Sequence, residues 1–518
     1  MLRTLTILLA ASATAALAQT QCEGLQSLNI PQTQITSAKL VPAGPYQAAG
    51  RGGPGKQNAK QAAPQDAKQN AKQAAAPAAP QMLPAHCRVA LVLMPTSDSH
   101  IEMEVWLPSG GAWNGKFEAV GGGGWAGTIS FAAMVTAMQE GYATASTDTG
   151  HMGGNADFAL GHPEKIVDFG YRAIHEMALK SKDIIKAFYG SPARLSYFNG
   201  CSTGGRQALM EAQRFPEDFD GIVAGAPANN HIHLHVAGTA RSIDIINIPG
   251  DHALTRAKQD FLAKSVMAAC DKLDGVQDGL LTNPRQCTYD PQQLLCKGLD
   301  SDTCLTAPQI AAVKRTYADT ITKKGEIVWT GFERGTEAGL GVIGTATEPR
   351  GGLASIQILG YQDANWDWHK FDLDRDLKLT VDRAPSINAD NPDLSKFKAH
   401  GGKLLLYHGW TDPSIPPGNT INYYNSVLNK MGKNQDDWMR LFMMPGMNHC
   451  GGGAGPSQFS YIATMERWRE SGKAPDQLLG FHVTNNRVDM SRPVCKYPQV
   501  ATYSGTGSTN DAANFTCK

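Results

Sequence analysis

Short apolar segments alternate with longer amphipathic segments along two separate parts of the chain. In the first part, strand-type segments lie at residues 89–94, 101–107, 117–120, 142–147, 195–199 and 221–225, with helix-type segments at 173–189 and 206–214. Strands that alternate with helices are typical of a mostly parallel sheet covered by helices. We therefore predict an α/β fold.

The alternation stops after residue 225 and returns near residue 403. Strand-type segments then lie at 403–407 and 439–443, and helix-type segments at 421–431 and 461–470. We predict one sheet-based domain built from residues 83–228 and 398–518, with residues 229–397 inserted as a lid. Insertions at the carboxyl edge of such a sheet often cover the functional site.

Residues 44–82 interrupt the pattern with a segment rich in Ala, Gln and Lys. The octapeptide Lys-Gln-Asn-Ala-Lys-Gln-Ala-Ala at 56–63 recurs at 68–75. The segment has almost no large apolar side chains, so it cannot offset the entropy lost on ordering. Two short copies also build no solenoid core. We predict a disordered insertion.

The first 18 residues are typical of a secretory signal peptide. Arg3 precedes an apolar run at residues 5–15, and Ala-Leu-Ala at 16–18 forms a cleavage site before Gln19. The run is too short to serve as a membrane-spanning helix. We therefore predict a secreted protein, either extracellular or periplasmic.

Charge excludes two classes of partner. The 518 residues include 47 basic and 47 acidic side chains, so the formal net charge is zero. A nucleic-acid-binding protein would need a basic face, and a peripheral membrane protein a polybasic segment. We predict no nucleic-acid partner and no membrane association.

An exported chain with ten cysteines is expected to form disulfides. Short loops favour the pairs Cys270–Cys287, Cys296–Cys304 and Cys495–Cys517. Four cysteines remain, at positions 22, 87, 201 and 450.

Ser202 is the candidate nucleophile. It lies in Gly-Cys-Ser-Thr-Gly at 200–204, between a predicted strand and a predicted helix. A G-x-S-x-G sequence in that context predicts a nucleophile elbow, in which glycines permit the sharp turn that exposes the serine. The alternative is a glycine-rich turn around an ordinary serine.

A serine nucleophile needs a base and an acid, which follow it in the order acid, histidine in this kind of fold. Asp412 follows the strand at 403–407, and His449 follows the strand at 439–443. Both therefore lie where strand carboxyl ends gather ligands. His408, close to Asp412 in sequence, is expected to pack or hydrogen-bond locally.

A disulfide can bring the serine and histidine together. Cys201 precedes Ser202 and Cys450 follows His449. Bridged Cα atoms lie about 5.5–6 Å apart, so a Cys201–Cys450 bond would hold the two neighbours within reach. A Cys22–Cys87 bridge completes the predicted set.

An oxyanion hole requires two backbone N–H groups. Thr203, directly after the nucleophile, and Gly124, in the glycine run at 121–124, are the candidates. The glycine run can also be read as a simple flexible turn.

Two further clusters are candidate metal sites. Histidines at 231, 233 and 235 would share one face of a strand, although surface histidines are the favoured interpretation. The loop at 271–280 holds Asp271, Asp274 and Asp278, and the carbonyls of Val276 and Leu280 could join them around calcium. From these residues alone, a solvated acidic turn is equally compatible with the loop.

The chain resembles the tannase/feruloyl esterase family of secreted serine esterases, which includes a bacterial mono(hydroxyethyl) terephthalate hydrolase. The resemblance spans nearly all of residues 87–517. It depends on Gly-Cys-Ser-Thr-Gly-Gly at 200–205, Pro-Gly-Met-Asn-His-Cys at 445–450, Asp-Thr-Gly-His at 148–151 and the 271–280 loop. It implies an α/β-hydrolase core, an inserted lid, a triad held by the disulfide, and structural calcium bound by Asp271, Asp274, Val276, Asp278 and Leu280. The 44–82 segment departs from the family pattern.

The resemblance implies hydrolysis of esters of aromatic acids, with a feruloyl-type hydroxycinnamate as first choice. Gallate esters, as in tannases, and terephthalate monoesters are the alternatives. Two non-enzymatic hypotheses are an inactive hydrolase fold that binds polysaccharide or polyphenol, and a calcium-dependent adhesion protein. Four aromatic side chains of the lid are candidate substrate contacts, although packing is the favoured role for each: Trp329, Phe332, Trp366 and Trp368.

Overall fold

The computed structural model describes residues 22–47 and 80–518. The predicted signal peptide and most of the predicted insertion lie outside these residues. Within the described chain the strands are β1 (Thr33–Val41), β2 (Gly44–Pro45), β3 (Met82–Leu83), β4 (His86–Leu93), β5 (Ile101–Pro108), β6 (Lys116–Val120), β7 (Ala143–Thr147), β8 (Leu195–Cys201), β9 (Gly221–Gly225), β10 (Thr320–Ile321), β11 (Ile327–Trp329), β12 (Lys403–Gly409), β13 (Met439–Met444), β14 (Gln477–Thr484), β15 (Arg487–Cys495), β16 (Ala501–Tyr503) and β17 (Phe515–Cys517).

The helices of the same residues alternate with these strands in the order that the sequence predicts. They are α1 (Phe131–Gln139), α2 (Pro163–Val167), α3 (Ala173–Tyr189), α4 (Thr203–Arg214), α5 (His231–Ile246), α6 (Arg256–Cys270), α7 (Ala307–Tyr317), α8 (Leu373–Arg383), α9 (Ser395–Ala399), α10 (Gly418–Met431) and α11 (Tyr461–Ser471). Of these helices, none has both the length and the apolar character required to cross a membrane.

Nine strands form one central sheet in the order β1-β4-β5-β7-β6-β8-β9-β12-β13. The pairs β1–β4, β4–β5 and β5–β7 are antiparallel, and the remaining neighbours are parallel. The predicted α/β fold with a mostly parallel sheet is therefore confirmed. Strand β1 was not predicted, because it is an edge strand with a weak apolar pattern and a bulge between Ile35 and Ser37.

Alternating residues of the central strands serve two hydrophobic cores. On β8 and β9, Phe198 and Ile222 belong to one core, which also contains Met177 of α3 and Leu209 of α4. The adjacent residues Tyr197 and Val223 belong to the second core, with Met465 and Trp468 of α11. Both faces of the sheet are thus covered, which is why β9 and most of β12 read as apolar runs.

The segment between β9 and β12 contains α5 to α9 and the small β10–β11 ladder. Because β9 and β12 are adjacent and parallel, this segment leaves the sheet at the carboxyl end of one strand and returns to its neighbour. It has its own apolar core, in which Leu262 and Val266 of α6 meet Ile310 and Val313 of α7. These elements lie between β9 and β12, where the sequence analysis places the predicted lid at residues 229–397.

All five predicted disulfides are present in the structure: Cys22–Cys87, Cys201–Cys450, Cys270–Cys287, Cys296–Cys304 and Cys495–Cys517. The bounds predicted for the disordered insertion, 44–82, are too wide. Gly44–Pro45 pairs with Met82–Leu83, because the chain leaves and re-enters the fold at one point. The C-terminal ladders β14–β15 and β16–β17 were not predicted from the sequence.

Asp148 joins the end of β7 to β5. Its Oδ1 accepts hydrogen bonds from the backbone N–H groups of Glu102, at 3.0 Å, and Gly150, at 2.8 Å. Burial raises the pKa of the Asp148 carboxyl to about 7, although these hydrogen bonds oppose the shift.

We expect Asp148→Asn to stabilise the fold increasingly as the pH rises from about 4 to 7. In that window the unfolded carboxyl ionises while the folded one keeps its proton, so the wild type loses stability as pH rises. A pKa raised to about 7 corresponds to at most about 4 kcal/mol. Thermal unfolding at pH 4.5 and pH 8, with the exposed Asp157→Asn as control, measures the difference. A gain of equal size at both pH values would contradict it.

Candidate active site

Ser202 occupies a sharp turn between β8 and α4. Its backbone has φ 66° and ψ −123°, in the positive-φ region that non-glycine residues rarely adopt. The turn is held by backbone hydrogen bonds: Ser202 N–H donates to Gly225 O at 2.9 Å, and Ser202 O accepts from Ala228 N–H at 3.1 Å. A Cβ at Gly200 would lie 2.5 Å from backbone atoms of Gly204, so the turn requires this glycine. This is the geometry predicted for a nucleophile elbow.

Asp412 and His449 meet beyond the carboxyl ends of β12 and β13. His449 Nδ1 lies 2.6 Å from Asp412 Oδ2, and Asp412 is fully buried. Burial opposes ionisation of this carboxyl, but the hydrogen bonds from His408 and His449 outweigh it and hold the pKa of Asp412 below its ordinary range. Asp412 is thus placed to fix one tautomer of His449 and to stabilise its cationic form.

His408 is a second, fully buried imidazole on the same carboxylate. Its Nε2 lies 3.0 Å from both Asp412 Oδ2 and Ile415 O. Because both partners are acceptors, Nε2 carries the proton and donates. The predicted local hydrogen bonding of His408 is therefore seen, with Asp412 itself as a partner.

The Cys201–Cys450 bridge connects the serine turn to the histidine loop. Its Cα atoms lie 5.9 Å apart, although the two cysteines are 249 positions apart in sequence. Ser202 and His449 both line one cavity, with Gly124 and Thr203 in the same wall. The structure therefore brings together the predicted nucleophile, base and oxyanion-hole candidates.

The glycine run at 121–124 supports Gly124 as the second oxyanion-hole candidate. Gly121 N–H donates to Asn199 O at 2.9 Å, and Gly122 N–H donates to Gln207 Oε1 at 3.0 Å. Those two donors are therefore already used within the fold. Gly124 adopts φ 58°, lines the cavity, and accepts a hydrogen bond from the Thr203 hydroxyl through its carbonyl.

The cavity has a volume of about 710 Å³ and lies open to solvent between the sheet domain and the inserted segment. One wall is a face of α5 and another is the loop at residues 340–346. Trp125, directly after the glycine run, lies against His231 and His235. Sequence reasoning missed Trp125 and the α5 wall. Assigning residues 231–245 to a helix would have placed the cavity-lining residues of this segment on one helix face.

The chain is similar to known esterases over most of its length. The family model described as tannase and feruloyl esterase matches residues 87–518. The chain belongs to the tannase and feruloyl esterase family. An uncharacterized esterase of Xanthomonas campestris pv. campestris is 36% identical, covering 100% of this chain and 94% of that protein. Feruloyl esterase B of Aspergillus niger is 32% identical over 83% of this chain and 86% of its own length.

A solved structure supports the same assignment. The crystal structure of feruloyl esterase B from Aspergillus oryzae has a TM-score of 0.86 and 30% identity, covering 97% of this chain and 100% of that one. The chain is therefore a carboxylic ester hydrolase of the feruloyl esterase and tannase type.

In this tannase and feruloyl esterase family member, the prediction that His231, His233 and His235 share one face of a strand is wrong. Residues 231, 233 and 235 begin helix α5, whose 3.6-residue period puts His231 and His235 on one face and His233 on another. His231 is buried rather than on the surface, and its ring centroid lies 4.0 Å from that of His235. The strand-based metal hypothesis therefore has no geometric basis.

The four aromatic candidates of the inserted segment separate into two groups. Phe332 lines the cavity. Trp329 is fully buried, Trp366 stacks on Tyr361 at 4.6 Å, and Trp368 stacks on His369 at 3.8 Å. Only Phe332 of the four is among the residues that line the cavity in the described chain.

The acidic loop at 271–280 curls at two glycines, and its carboxylates accept hydrogen bonds. Gly275 and Gly279 adopt φ 89° and 79°, which permits the curl. Asp271 Oδ1 accepts from Gly279 N–H at 3.0 Å, and Asp274 Oδ2 accepts from the Thr282 hydroxyl at 2.6 Å. Asp278 Oδ2 accepts from Arg492 Nη2 at 2.8 Å.

We expect the double change Cys201→Ser with Cys450→Ser to lower kcat/KM on an aromatic ester by at least about 100-fold. The bridge closes a loop of 249 positions, worth about 5 kcal/mol in the chain-entropy model, and it aligns the nucleophile with its base. The matched control is Cys495→Ser with Cys517→Ser, which opens a loop of 22 positions away from the cavity. Wild-type kcat/KM in the first variant would show that the bridge does not position the pair.

Proposed function

We propose that the protein is a secreted serine esterase that cleaves esters of hydroxycinnamic acids, of the feruloyl type, through an acyl-enzyme. The observation that carries this proposal is the shared position of Ser202 and His449 in one cavity, next to the Cys201–Cys450 bridge, with His449 bonded to buried Asp412. Gallate esters are the second candidate substrate class, and terephthalate monoesters the third.

The first half-reaction follows from this geometry. His449 Nδ1 is bonded to Asp412, so Nε2 is the nitrogen that accepts the Ser202 Oγ proton. Oγ bonds to the ester carbonyl carbon, and the carbonyl oxygen takes the negative charge, which the N–H groups of Thr203 and Gly124 stabilise. His449 then gives its proton to the departing alkoxide oxygen as the ester C–O bond breaks, which leaves the acyl-enzyme.

Water then hydrolyses the acyl-enzyme, acting as the nucleophile while Ser202 is the leaving group. His449 Nε2 removes a proton from water, the hydroxide bonds to the acyl carbon, and the Ser202 Oγ–acyl bond breaks. The proton returns to Oγ and the carboxylic acid leaves. Asp412 remains ionised throughout, which its lowered pKa and its two imidazole partners favour.

The substrate class is supported by two relatives and by the cavity wall. Feruloyl esterase B of Aspergillus niger and that of Aspergillus oryzae are named for feruloyl esters. Trp125, Leu234, Phe332 and Ile343 supply apolar wall for an aromatic acyl group.

We expect Ser202→Ala to lower kcat on methyl ferulate by at least about 10⁴-fold, because no other hydroxyl replaces the nucleophile. Methyl gallate, assayed in parallel, distinguishes the two leading substrate classes through the wild-type kcat/KM ratio. Ser426→Ala, on α10 of the sheet domain, is the control. Full turnover by the Ser202 variant would remove this serine from the mechanism.

The non-enzymatic hypothesis of an inactive binding fold makes the opposite prediction. A fluorophosphonate probe should label wild-type protein at Ser202 and leave Ser202→Ala unlabelled. An unlabelled wild type that still binds aromatic esters would favour the binding fold.

Export is supported by the N-terminal segment and by the disulfides. Five bridges among ten cysteines are expected in an oxidising compartment and are rare in the cytosol. We propose that residues 1–18 direct export, to the cell exterior or the periplasm.

We propose that the 271–280 loop holds a structural calcium ion, with Asp271, Asp274, Asp278 and the carbonyls of Val276 and Leu280 as ligands. Three carboxylates and two carbonyls are the oxygen donors that calcium prefers. Burial raises the pKa of Asp274 and the charge of Asp278 adds to that effect, so a cation would relieve the repulsion between them. The ion would order the loop and takes no part in the reaction.

We expect chelation with EGTA to lower the melting temperature by several degrees, and calcium, but not magnesium, to restore it. Binding at about 100 times Kd stabilises by about 2.7 kcal/mol. Asp274→Asn should abolish the chelator effect, whereas Asp382→Asn, an exposed carboxylate of α8, should keep it. The proposal would be contradicted if EGTA did not change the melting temperature of the wild type and inductively coupled plasma mass spectrometry detected no calcium in the protein.

A further inference from the structure

The cavity is lined by cationic side chains and by no acidic one. Arg241 and Arg350 contribute to its walls, whereas no Asp or Glu of the described chain does. Asp412, the nearest carboxylate of the site, lies behind His449 and is fully buried. A cleft whose charged wall residues are all of one sign attracts ligands of the opposite charge.

Arg241 is a buried cation without an anionic partner. It is 7% exposed, and its guanidinium lies 4.7 Å from the centroid of the Phe332 ring. It takes part in no salt bridge and donates no hydrogen bond to any residue in the described part of the chain. Burial, together with the charge of Arg315, lowers the pKa of Arg241 to about 10.

The other buried arginines of the described chain all donate hydrogen bonds, although one nitrogen of each lacks a hydrogen-bond partner. Arg492 donates to Asp278 at 2.8 Å, Arg440 to Asp476 at 3.2 Å, and Arg206 to the carbonyl of Gly170 at 2.8 Å. Asp244, one helical turn beyond Arg241, is already paired with Arg315 at 2.7 Å. Arg206 also lacks an anionic partner, but it donates to the carbonyls of Gly170, Ile387 and Phe169. Arg241 differs because it donates no hydrogen bond within the described chain, and a buried charge without a partner is costly, so Arg241 calls for a ligand.

Arg241 lies on the same helix face as the residues near the nucleophile. His231, Leu234, Gly238, Arg241 and Ile245 of α5 all line the cavity, at the spacing of one helical face. The helix begins beside the serine, since Ala228 N–H donates to Ser202 O at 3.1 Å. Ten residues separate His231 from Arg241, which is about 15 Å along the helix axis. Arg241 therefore lies about three helical turns further along the cavity wall than His231.

We propose that Arg241 determines specificity by binding a carboxylate that the ester substrate carries on a part distant from the scissile carbonyl. This inference rests on the proposed esterase function and refines its substrate class. A guanidinium can accept a carboxylate through two parallel N–H donors, and its stacking on Phe332 fixes the plane in which it does so. The exposed side chain of Arg350 adds a second positive charge to the same cavity.

The test compares matched esters with and without the carboxylate. On the acyl side, the monoethyl ester of an aromatic dicarboxylic acid is compared with its diethyl ester. On the alcohol side, a hydroxycinnamate ester of a hydroxy acid is compared with the methyl ester of the same hydroxycinnamate. The arm in which wild type prefers the charged ester identifies which side of the substrate carries the carboxylate.

We expect Arg241→Met to lower the charged-to-neutral ratio of kcat/KM by about 100-fold in that arm, the size found for loss of one partner in a buried ion pair. Arg241→Lys should recover part of the ratio, because it keeps the charge without the planar fork. Arg214→Met is the matched control: that arginine also stacks on an aromatic ring, Tyr171 at 4.5 Å, but does not line the cavity.

A second measurement separates binding from turnover and from misfolding. Calorimetric titration of Ser202→Ala with an aromatic dicarboxylate should show binding that the added Arg241→Met removes. Replacing an unpaired buried cation should also leave the melting temperature at or above that of wild type. If neither charged ester is preferred, or if Arg241→Met leaves the ratio unchanged, the inference is wrong. Binding without hydrolysis of any ester would instead overturn the proposed esterase function and leave the anion site standing.

Discussion

The site depends on one long-range constraint, the return of the histidine loop across the sheet to the serine turn. β8 and β13 are separated by β9 and β12, so three strand spacings, about 14 Å, lie between the ends that carry Ser202 and His449. The loop after β13 must cross the ends of β12 and β9 to reach Cys201. It can do so because Gly409 has no side chain: a Cβ there would lie 2.2 Å from Met447 O. Thr411 then fastens the loop, with its hydroxyl donating to the same carbonyl at 2.9 Å.

The acid follows β12, one strand away from β13 and two strands away from β8. Asp412 follows β12, below the loop, and its carboxylate accepts from His408, His449 and the backbone N–H groups of Ser414 and Ile415. Four donors around a fully buried carboxylate offset its desolvation, which explains a lowered pKa in a place where burial alone would raise it. His408 and His449 thus both stabilise the ionised Asp412 carboxylate and hold it in place.

Sequence patterns predicted the parts of this arrangement that local rules govern. Strands β9 and β12 carry apolar runs, the G-x-S-x-G turn has a specific backbone requirement, and the two Cys neighbours define the bridge. Edge strand β1 and the ladders after residue 476 were missed, because exposed strands alternate weakly and need their partners to be recognised. His231 and His235 were assigned to a strand because five residues in which histidine alternates with Ile or Leu fit a strand and the first turn of a helix equally well. The proposed role of Arg241 depends on the lack of a carboxylate near its guanidinium in the folded chain. A local sequence pattern does not show which residues surround a side chain after folding.

The inserted segment packs directly against the loop that carries His449. Leu280, at the end of the acidic loop, approaches Gly446 so closely that a Cβ on that glycine would lie 2.6 Å from a Leu280 methyl carbon. Gly446 begins the loop that carries His449. The other side of the acidic loop is tied by Asp278 to Arg492 of β15, with both side chains almost fully buried. The acidic loop thus contacts the histidine loop through one packing contact and the C-terminal hairpin through one ion pair. An ion bound in that loop would accordingly influence the alignment of His449 without touching the substrate, because close-packed neighbours transmit small displacements.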